Sequence, residues 1–474
     1  MKTVDLVITA PHVYTMAGEG VGYMSSKAIV IEGSKIYDIV DIDKWQDMYK
    51  AEEVLDMSHH ILLPGFIDAH MHTGDNILRG LAQDTGLWMM YGLMPFANVT
   101  TQAQKDIGVP AALIEAIKAG TTTTGDYMYN MDASTEFVKK SGMRGNLTYM
   151  MRSAKFKTYK PGELYEFDKK QGEESFNACL DYYHKWNGYD GGRIKVLFGP
   201  QGPDFLSLDE LMRIRKAAKE LGTKIHMHTQ QGDRETYQIV SRYGKRPTAL
   251  LKDMGYLDES LIAVHLTDCT DEEAETIAKS GASMIVCPGS IGIIDGVVCP
   301  SIAFQNAGGN VALGSDQAPG NNCHNIFNEM KNICLFNKLK AQNPEVMPAW
   351  KALRMATIEG AKAIGLGDEV GSLEIGKQAD IIAVDYMRPS MLPIYTKPMR
   401  NMVPNLVYSA RGDEVVLSVV AGKIIMKDRK LVNIDETEYL SKMSECPDVI
   451  GELATPEFLS INGTNAGFMR EDKL

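Results

Sequence analysis

Eight short apolar runs, each with polar residues at or just beyond its end and most separated by amphipathic stretches, constrain the fold of this chain more than any other feature. The runs are ILLPGFIDAH, GTTTTGDYM, GNLTYMM, RIKVLFGP, KIHMHT, LIAVHLTD, SMIVCP and NVALGSD. Segments such as DELMRIRKAAKELG and TDEEAETIAKSG carry helical spacing between them. Strand–helix alternation of this kind predicts an α/β fold, a (β/α)8 TIM barrel over residues 58–377. A doubly wound open sheet is the alternative, but no G-x-G-x-x-G turn follows the first run. Residues 1–57 (VDLVITA, AIVIEGSKIYDIV, EEVLDM) and 378–432 (ADIIAVD, EVVLSVVAGKIIM) read as short antiparallel strands, predicting one small composite β-sandwich domain built from both chain ends. Residues 433–474 read as a C-terminal helical tail that frays into INGTNAGFMREDKL.

Barrels of this class carry their active sites at the C-terminal ends of the strands, where the polar residues gather here. The first run ends in an HxH pair, His70 and His72, whose side chains share one strand face. The fifth run ends in His226 and His228, the sixth in His265 and the eighth in Asp316. His70, His72, His228 and Asp316 form an N,N,N,O set that suits one divalent metal, zinc first, with iron, cobalt and manganese as the other metals it accepts. Such a metal lowers the pKa of bound water, and the resulting hydroxide attacks an electrophilic sp2 carbon. Asp316 takes the water proton and passes it to the leaving group, and His265 hydrogen-bonds the water or the developing oxyanion. His12, His59, His60 and His184 lie in turn or helix contexts and read as structural or solvated.

A formal charge of −12 argues against nucleic acid and anionic membranes as partners. The seven cysteines form no CxxC pair, the start MKTVDLVITA has no long apolar h-region, and no run approaches a membrane span. The expectation is a cytoplasmic enzyme with reduced thiols, acting on a small molecule and water as a homodimer or higher homo-oligomer.

PGFIDAHMH, AIKAGTTTTGD, VALGSDQAPGNN, MATIEGAKAIGL and GSLEIGKQADIIAVD resemble the amidohydrolase superfamily over nearly the whole chain. Within it they resemble the subgroup of triazine hydrolases, cytosine-deaminase-like enzymes and adenosine-analogue deaminases, with the atrazine chlorohydrolase-like pattern the nearest. The resemblance implies one metal on His70, His72, His228 and Asp316, with His265 as the strand-six histidine. Two-metal members bridge their ions with a carboxylated lysine ending strand four, and Lys195 lies too early in RIKVLFGP for that. Three departures bear on substrate. Gln231 stands where the deaminase pattern HxxE has a glutamate that protonates a ring nitrogen, Gln201 where nucleoside deaminases carry a histidine, and Ser290-Ile291 where a Ser-Asn pair is usual. Glutamine cannot shuttle a proton. The expected function is therefore metal-dependent hydrolysis of a C–N (or C–Cl or C–S) bond in a small planar or heterocyclic substrate less polar than adenosine. Phenylurea or carbamothioate hydrolysis is one alternative, and a relative retained as a binding module another. Gln231, Gln201, Trp88, Arg79 and Asn322 are the expected substrate contacts, with ILRGLAQDTGLWMM as a lid.

Overall fold

In the computed structural model, which describes residues 1–160, 162–460 and 463–474, the eight-strand expectation is met. The strands are Phe66–Met71, Thr121–Met128, Arg144–Met151, Ile194–Pro200, Ile225–Thr229, Leu261–His265, Ser283–Val286 and Val311–Leu313, parallel and paired in chain order. Strands such as IHMHT, LIAVH and SMIV are buried at every residue, as a sheet covered on both faces requires. The ring closes between its last and first strands at a bridge between Met71 and Asp316. There the Asp316 N–H donates to the His70 carbonyl at 2.9 Å and the His72 N–H to the Asp316 carbonyl at 3.0 Å. Barrel closure thus ties the HxH segment to Asp316 through the backbone.

The helices begin and end where local chemistry dictates. Ser207 and Glu210 form a capping box at the head of Leu208–Leu221, and Gly222 in the left-handed region ends it. Thr270 and Glu273 do the same for Asp271–Lys279.

One expected strand is two. ILLPGFIDAH breaks at Gly65, where His60–Pro64 pairs antiparallel with Ile381–Asp385 and only Phe66–Met71 enters the barrel. A Cβ on residue 65 would lie 2.0 Å from the Thr122 hydroxyl, so the chain can cross between sheets here only as glycine. The small domain's first segment therefore runs past the expected break at residue 57. Its nine strands form one continuous sheet in the order Lys430–Leu431, Lys423–Lys427, Val415–Val420, Ile381–Asp385, His60–Pro64, Lys2–Tyr14, Tyr23–Glu32 and Lys35–Asp41, with Tyr49–Asp56 also paired to Lys2–Tyr14. Ile8, Ile31, Leu62, Ile381 and Leu417 share one apolar cluster, so this sheet folds over its own core. A buried ion pair joins it to the barrel, with Arg144 Nε and Nη2 donating to Asp380 at 2.8 and 2.9 Å.

The tail is helical over Glu436–Ser444, Pro447–Ser460 and Thr464–Arg470. The last of these lies in the stretch expected to fray; residues 461 and 462 of that stretch fall outside the described residues. Ile450, Ala454 and Phe458 pack with Leu78, Trp88 and Phe96, which seats the tail on the expected lid. No helix among the described residues is long and apolar enough to cross a membrane.

Candidate metal centre

The five expected side chains converge at the C-terminal end of the barrel. His72 Nδ1 donates to the Tyr127 carbonyl at 2.7 Å, and His228 Nδ1 to the Gln201 carbonyl at 2.6 Å. A backbone acceptor at Nδ1 fixes the tautomer and leaves a lone pair on Nε2. The two Nε2 atoms face one another at 3.3 Å. Two lone pairs held this close repel unless a cation lies between or beside them. Asp316 Oδ1 stands 3.7 Å from His70 Nε2 and 3.6 Å from His72 Nε2. Both Asp316 Oδ1 and His70 Nε2 are buried without a hydrogen-bond partner among the described residues, as are both ring nitrogens of His265. One ligand atom from each of His70, His72 and His228 lies within 4.8 Å of the others, and the same holds for His70, His265 and Asp316. These orphaned donors fit one divalent metal ion.

Electrostatics agree. Burial, with neighbouring imidazoles, holds His70 and His228 well below the ordinary histidine range, and burial lowers His265 to about 4. They are neutral at physiological pH, the form that ligates metal. Gln230, His265 and Asp316 have φ of +50°, +77° and +59°, a left-handed conformation that costs a non-glycine residue energy and gathers here at the strand ends.

Several supporting groups are not evident in the chain's pattern. His226 Nε2 lies 3.0 Å from His70 Nδ1, and its Nδ1 2.8 Å from Thr148 Oγ1, so His226 orients His70. Ser290, whose neighbour Ile291 stands where an asparagine is usual, donates to Asp316 Oδ2 at 2.5 Å. Asp68 Oδ1 accepts the Ser315 N–H at 2.9 Å. Glu329 accepts from the Gly289 N–H at 2.8 Å and Asn321 Nδ2 at 3.0 Å, bracing the turns after strands seven and eight.

Burial raises Glu329 from 4.5 to about 8. A carboxyl whose folded pKa is raised contributes stability that is full below its unfolded pKa and lost as pH rises through the folded one. The Tm difference between wild type and Glu329→Gln should therefore move in the variant's favour from about pH 6 to about pH 9. A difference independent of pH contradicts this assignment.

A cavity of about 280 Å³ is bounded among others by Trp88, Met89, Met90, Tyr165, Arg234 and Gln231, which follows His228 by three residues. Arg234 Nη1 donates to Asp204 at 2.6 Å and to Tyr165 Oη at 3.0 Å, and its Nη2 reaches Gln231 Oε1 at 3.4 Å. The Glu235 carboxylate accepts the N–H groups of Gln230 and Gln231 at 2.8 and 3.0 Å. Sequence reasoning missed Arg234 and Glu235; their signal was the charged cluster directly after Gln231 in HTQQGDRET.

The expected substrate contacts divide. Gln231 and Trp88 bound this cavity. Gln201 supplies the carbonyl that holds His228, and its Oε1 accepts from Tyr129 Oη at 2.6 Å. Arg79 pairs with Glu115 and donates to the Asn322 carbonyl at 2.7 Å, so Arg79 and Asn322 hold one another outside the residues that bound the cavity. Lys195 pairs with Glu369 at 3.1 Å, near the start of its strand and not at the centre.

The amidohydrolase family model matches residues 61–425. A 5'-deoxyadenosine deaminase of Methanosarcina mazei is 30% identical over 94% of this chain and 98% of its own length. A 5-methylthioadenosine/S-adenosylhomocysteine deaminase of Thermoanaerobacter pseudethanolicus is 33% identical over 87% of this chain and 91% of its own. The crystal structure of an adenosine deaminase from Xanthomonas campestris with bound zinc matches with a TM-score of 0.87 at 26% identity, covering 95% of this chain and 99% of that one. A triazine hydrolase variant matches with a TM-score of 0.81 at 18% identity, covering 93% and 98%. The likeness to triazine hydrolases is thus one of fold, and these two relatives at 30% identity or more carry adenosine-type deaminase names.

Proposed function

The chain belongs to the amidohydrolase family, a metal-dependent hydrolase of carbon–nitrogen bonds, and from that premise we propose that it displaces an amino group from an sp2 carbon of a small, planar, largely apolar nitrogen heterocycle. The observation that carries this reading is the pair of opposed Nε2 atoms of His72 and His228, together with a cavity in which Gln231 takes the place of a proton-donating acid.

His70, His72, His228 and Asp316 would hold the ion, zinc as in the Xanthomonas neighbour. When bound, it supplies Lewis acidity that brings the pKa of water toward neutrality. Asp316, anchored at Oδ2 by Ser290, turns Oδ1 toward His70 and His72, and its carboxylate takes the water proton and returns it to the departing amine. His265 stacks on His228 with ring centroids 5.4 Å apart and has both nitrogens uncommitted among the described residues, so its N–H serves the oxyanion. Arg234 donates to Gln231 Oε1 at 3.4 Å, which leaves the Gln231 amide N–H groups as the donors for a ring nitrogen. Trp88, Met89 and Met90 supply the apolar wall against which a planar ring excludes water.

A second reading is favoured by the relatives: an aminopurine nucleoside with an apolar 5' end, as the names 5'-deoxyadenosine and methylthioadenosine deaminase describe. Assaying the zinc-loaded protein against amino-triazines, 5'-deoxyadenosine, methylthioadenosine, adenosine, phenylureas and carbamothioates separates these readings. Ammonia or amine release from an apolar aminoheterocycle, with little from adenosine, is the expected result. Efficient adenosine turnover, or turnover confined to phenylureas or carbamothioates, overturns the proposal. Gln231→Glu should lower kcat/KM on the substrate so found by about tenfold, since it replaces a donor with a carboxylate that Arg234 keeps ionised. A rise in kcat/KM would contradict the role given to Gln231.

A further inference from the structure

We propose that the chain carries a second binding site, a pocket for a phosphate-bearing small molecule, at the N-terminal face of the barrel and so at the opposite end of the strands from the metal centre. A cavity of about 340 Å³ opens there between barrel and composite sheet, bounded by Lys139, Lys140, Arg144, Arg193 and Lys423, with Asp190 the one carboxylate among its lining residues. Three of these cations are paired, Arg144 with Asp380, Arg193 with Asp190 and Lys139 with Glu136, which leaves Lys140 and Lys423 without an ion pair among the described residues in a chain whose formal charge is −12.

The two guanidiniums at its base are buried, Arg144 1% and Arg193 8% exposed, and neither is fully used. Arg144 commits Nε and Nη2 to Asp380, which leaves Nη1 without a hydrogen-bond partner among the described residues. Arg193 commits Nε to Asp190 at 2.7 Å and Nη1 to the carbonyls of Val138 and Met143 at 2.9 and 2.5 Å, which leaves Nη2 without one. At the exposed rim, the Lys423 ammonium has no hydrogen bond among the described residues and the Lys140 ammonium reaches only Tyr439 Oη at 3.2 Å. Lys139 is paired with Glu136 at 2.8 Å. Neither Arg144 Nη1 nor Arg193 Nη2 is closed off from solvent, so these N–H groups can donate to an anion in the cavity, which adds a charge-assisted hydrogen bond that water does not offer. Planar guanidiniums match phosphate oxygens, and a volume of this size suits a small ligand.

The pocket also spans the two domains. Lys139, Lys140, Arg144 and Arg193 come from the barrel, and Lys423 from the strand Lys423–Lys427 of the composite sheet. A bound phosphate would brace one domain against the other and raise the melting temperature by linkage.

The test uses the full-length, zinc-loaded protein, with calorimetric titration and thermal melts in inorganic phosphate, pyrophosphate and AMP, against sodium chloride at matched ionic strength. Saturable binding with a rise in Tm beyond the chloride control is expected. Binding of inorganic phosphate identifies the free anion as sufficient, and binding of AMP alone identifies a phosphate ester within a larger ligand. Lys423→Glu and Lys140→Glu, both at exposed positions, should each weaken binding by about tenfold or more with metal content unchanged. Should one variant melt lower without ligand, the other provides the reading. Absence of saturable binding by all three anions, or undiminished binding in the variants, overturns the proposal.

Discussion

Alanine at His70, His72 or His228 should abolish metal retention and turnover together. Burial holds His70 and His228 well below the ordinary histidine range, and the carbonyls at Nδ1 of His72 and His228 leave Nε2 as the ligand atom of each. Removing one leaves a three-donor set and, around it, buried groups such as Asp316 Oδ1 that have no other partner among the described residues. Turnover is expected to fall by at least about 10⁴-fold, with the fold intact, since the Lewis acid is lost along with the ligand. His226→Ala is the informative contrast. It touches His70 Nδ1 and Thr148 but contributes no ligand atom to the set, so its loss should weaken metal affinity by only about 10- to 100-fold. Elemental analysis and circular dichroism of the four variants decide the matter. Full metal content in a His72→Ala or His228→Ala protein would refute the ligand assignment.

The next largest effect belongs to Asp316. Asp316→Asn keeps the size of the side chain and an oxygen for Ser290 but removes the carboxylate that accepts a proton, so kcat should fall by about 10²- to 10⁴-fold. His265→Ala should cost about 10²- to 10³-fold while the protein keeps its metal, because His265 is assigned to the oxyanion. His265 also lies within ligand distance of His70 and Asp316, so metal analysis of this variant separates an oxyanion partner from a ligand. Retained activity in Asp316→Asn with metal lost in His265→Ala would exchange the two roles.

How far the chain's pattern reached follows from the physics of each element. The barrel was legible because its strands are buried on both faces and read as uninterrupted apolar runs, and the candidate ligands because each lies at the end of such a run. Gly65 was not, since an apolar run shows nothing of the Thr122 side chain that forces the break. His226 shares a strand face with His228, and only the meeting of strands one, three and five shows that it turns inward to His70 and Thr148. Ser290, Glu329 and Glu235 act on backbone groups and side chains distant in sequence or a turn away, contacts that no spacing rule encodes. Arg79 looked free to meet substrate, and the structure places it on Glu115 and Asn322, both far from it in the chain.

The measurement that bears most directly on the central claim is a zinc titration of chelator-stripped protein, followed by ammonia or amine release from whichever heterocycle of the panel is turned over. The account predicts no hydrolysis without metal and activity that rises linearly and saturates at one equivalent per chain. Hydrolysis by the metal-free protein, or saturation only at two equivalents, would contradict it.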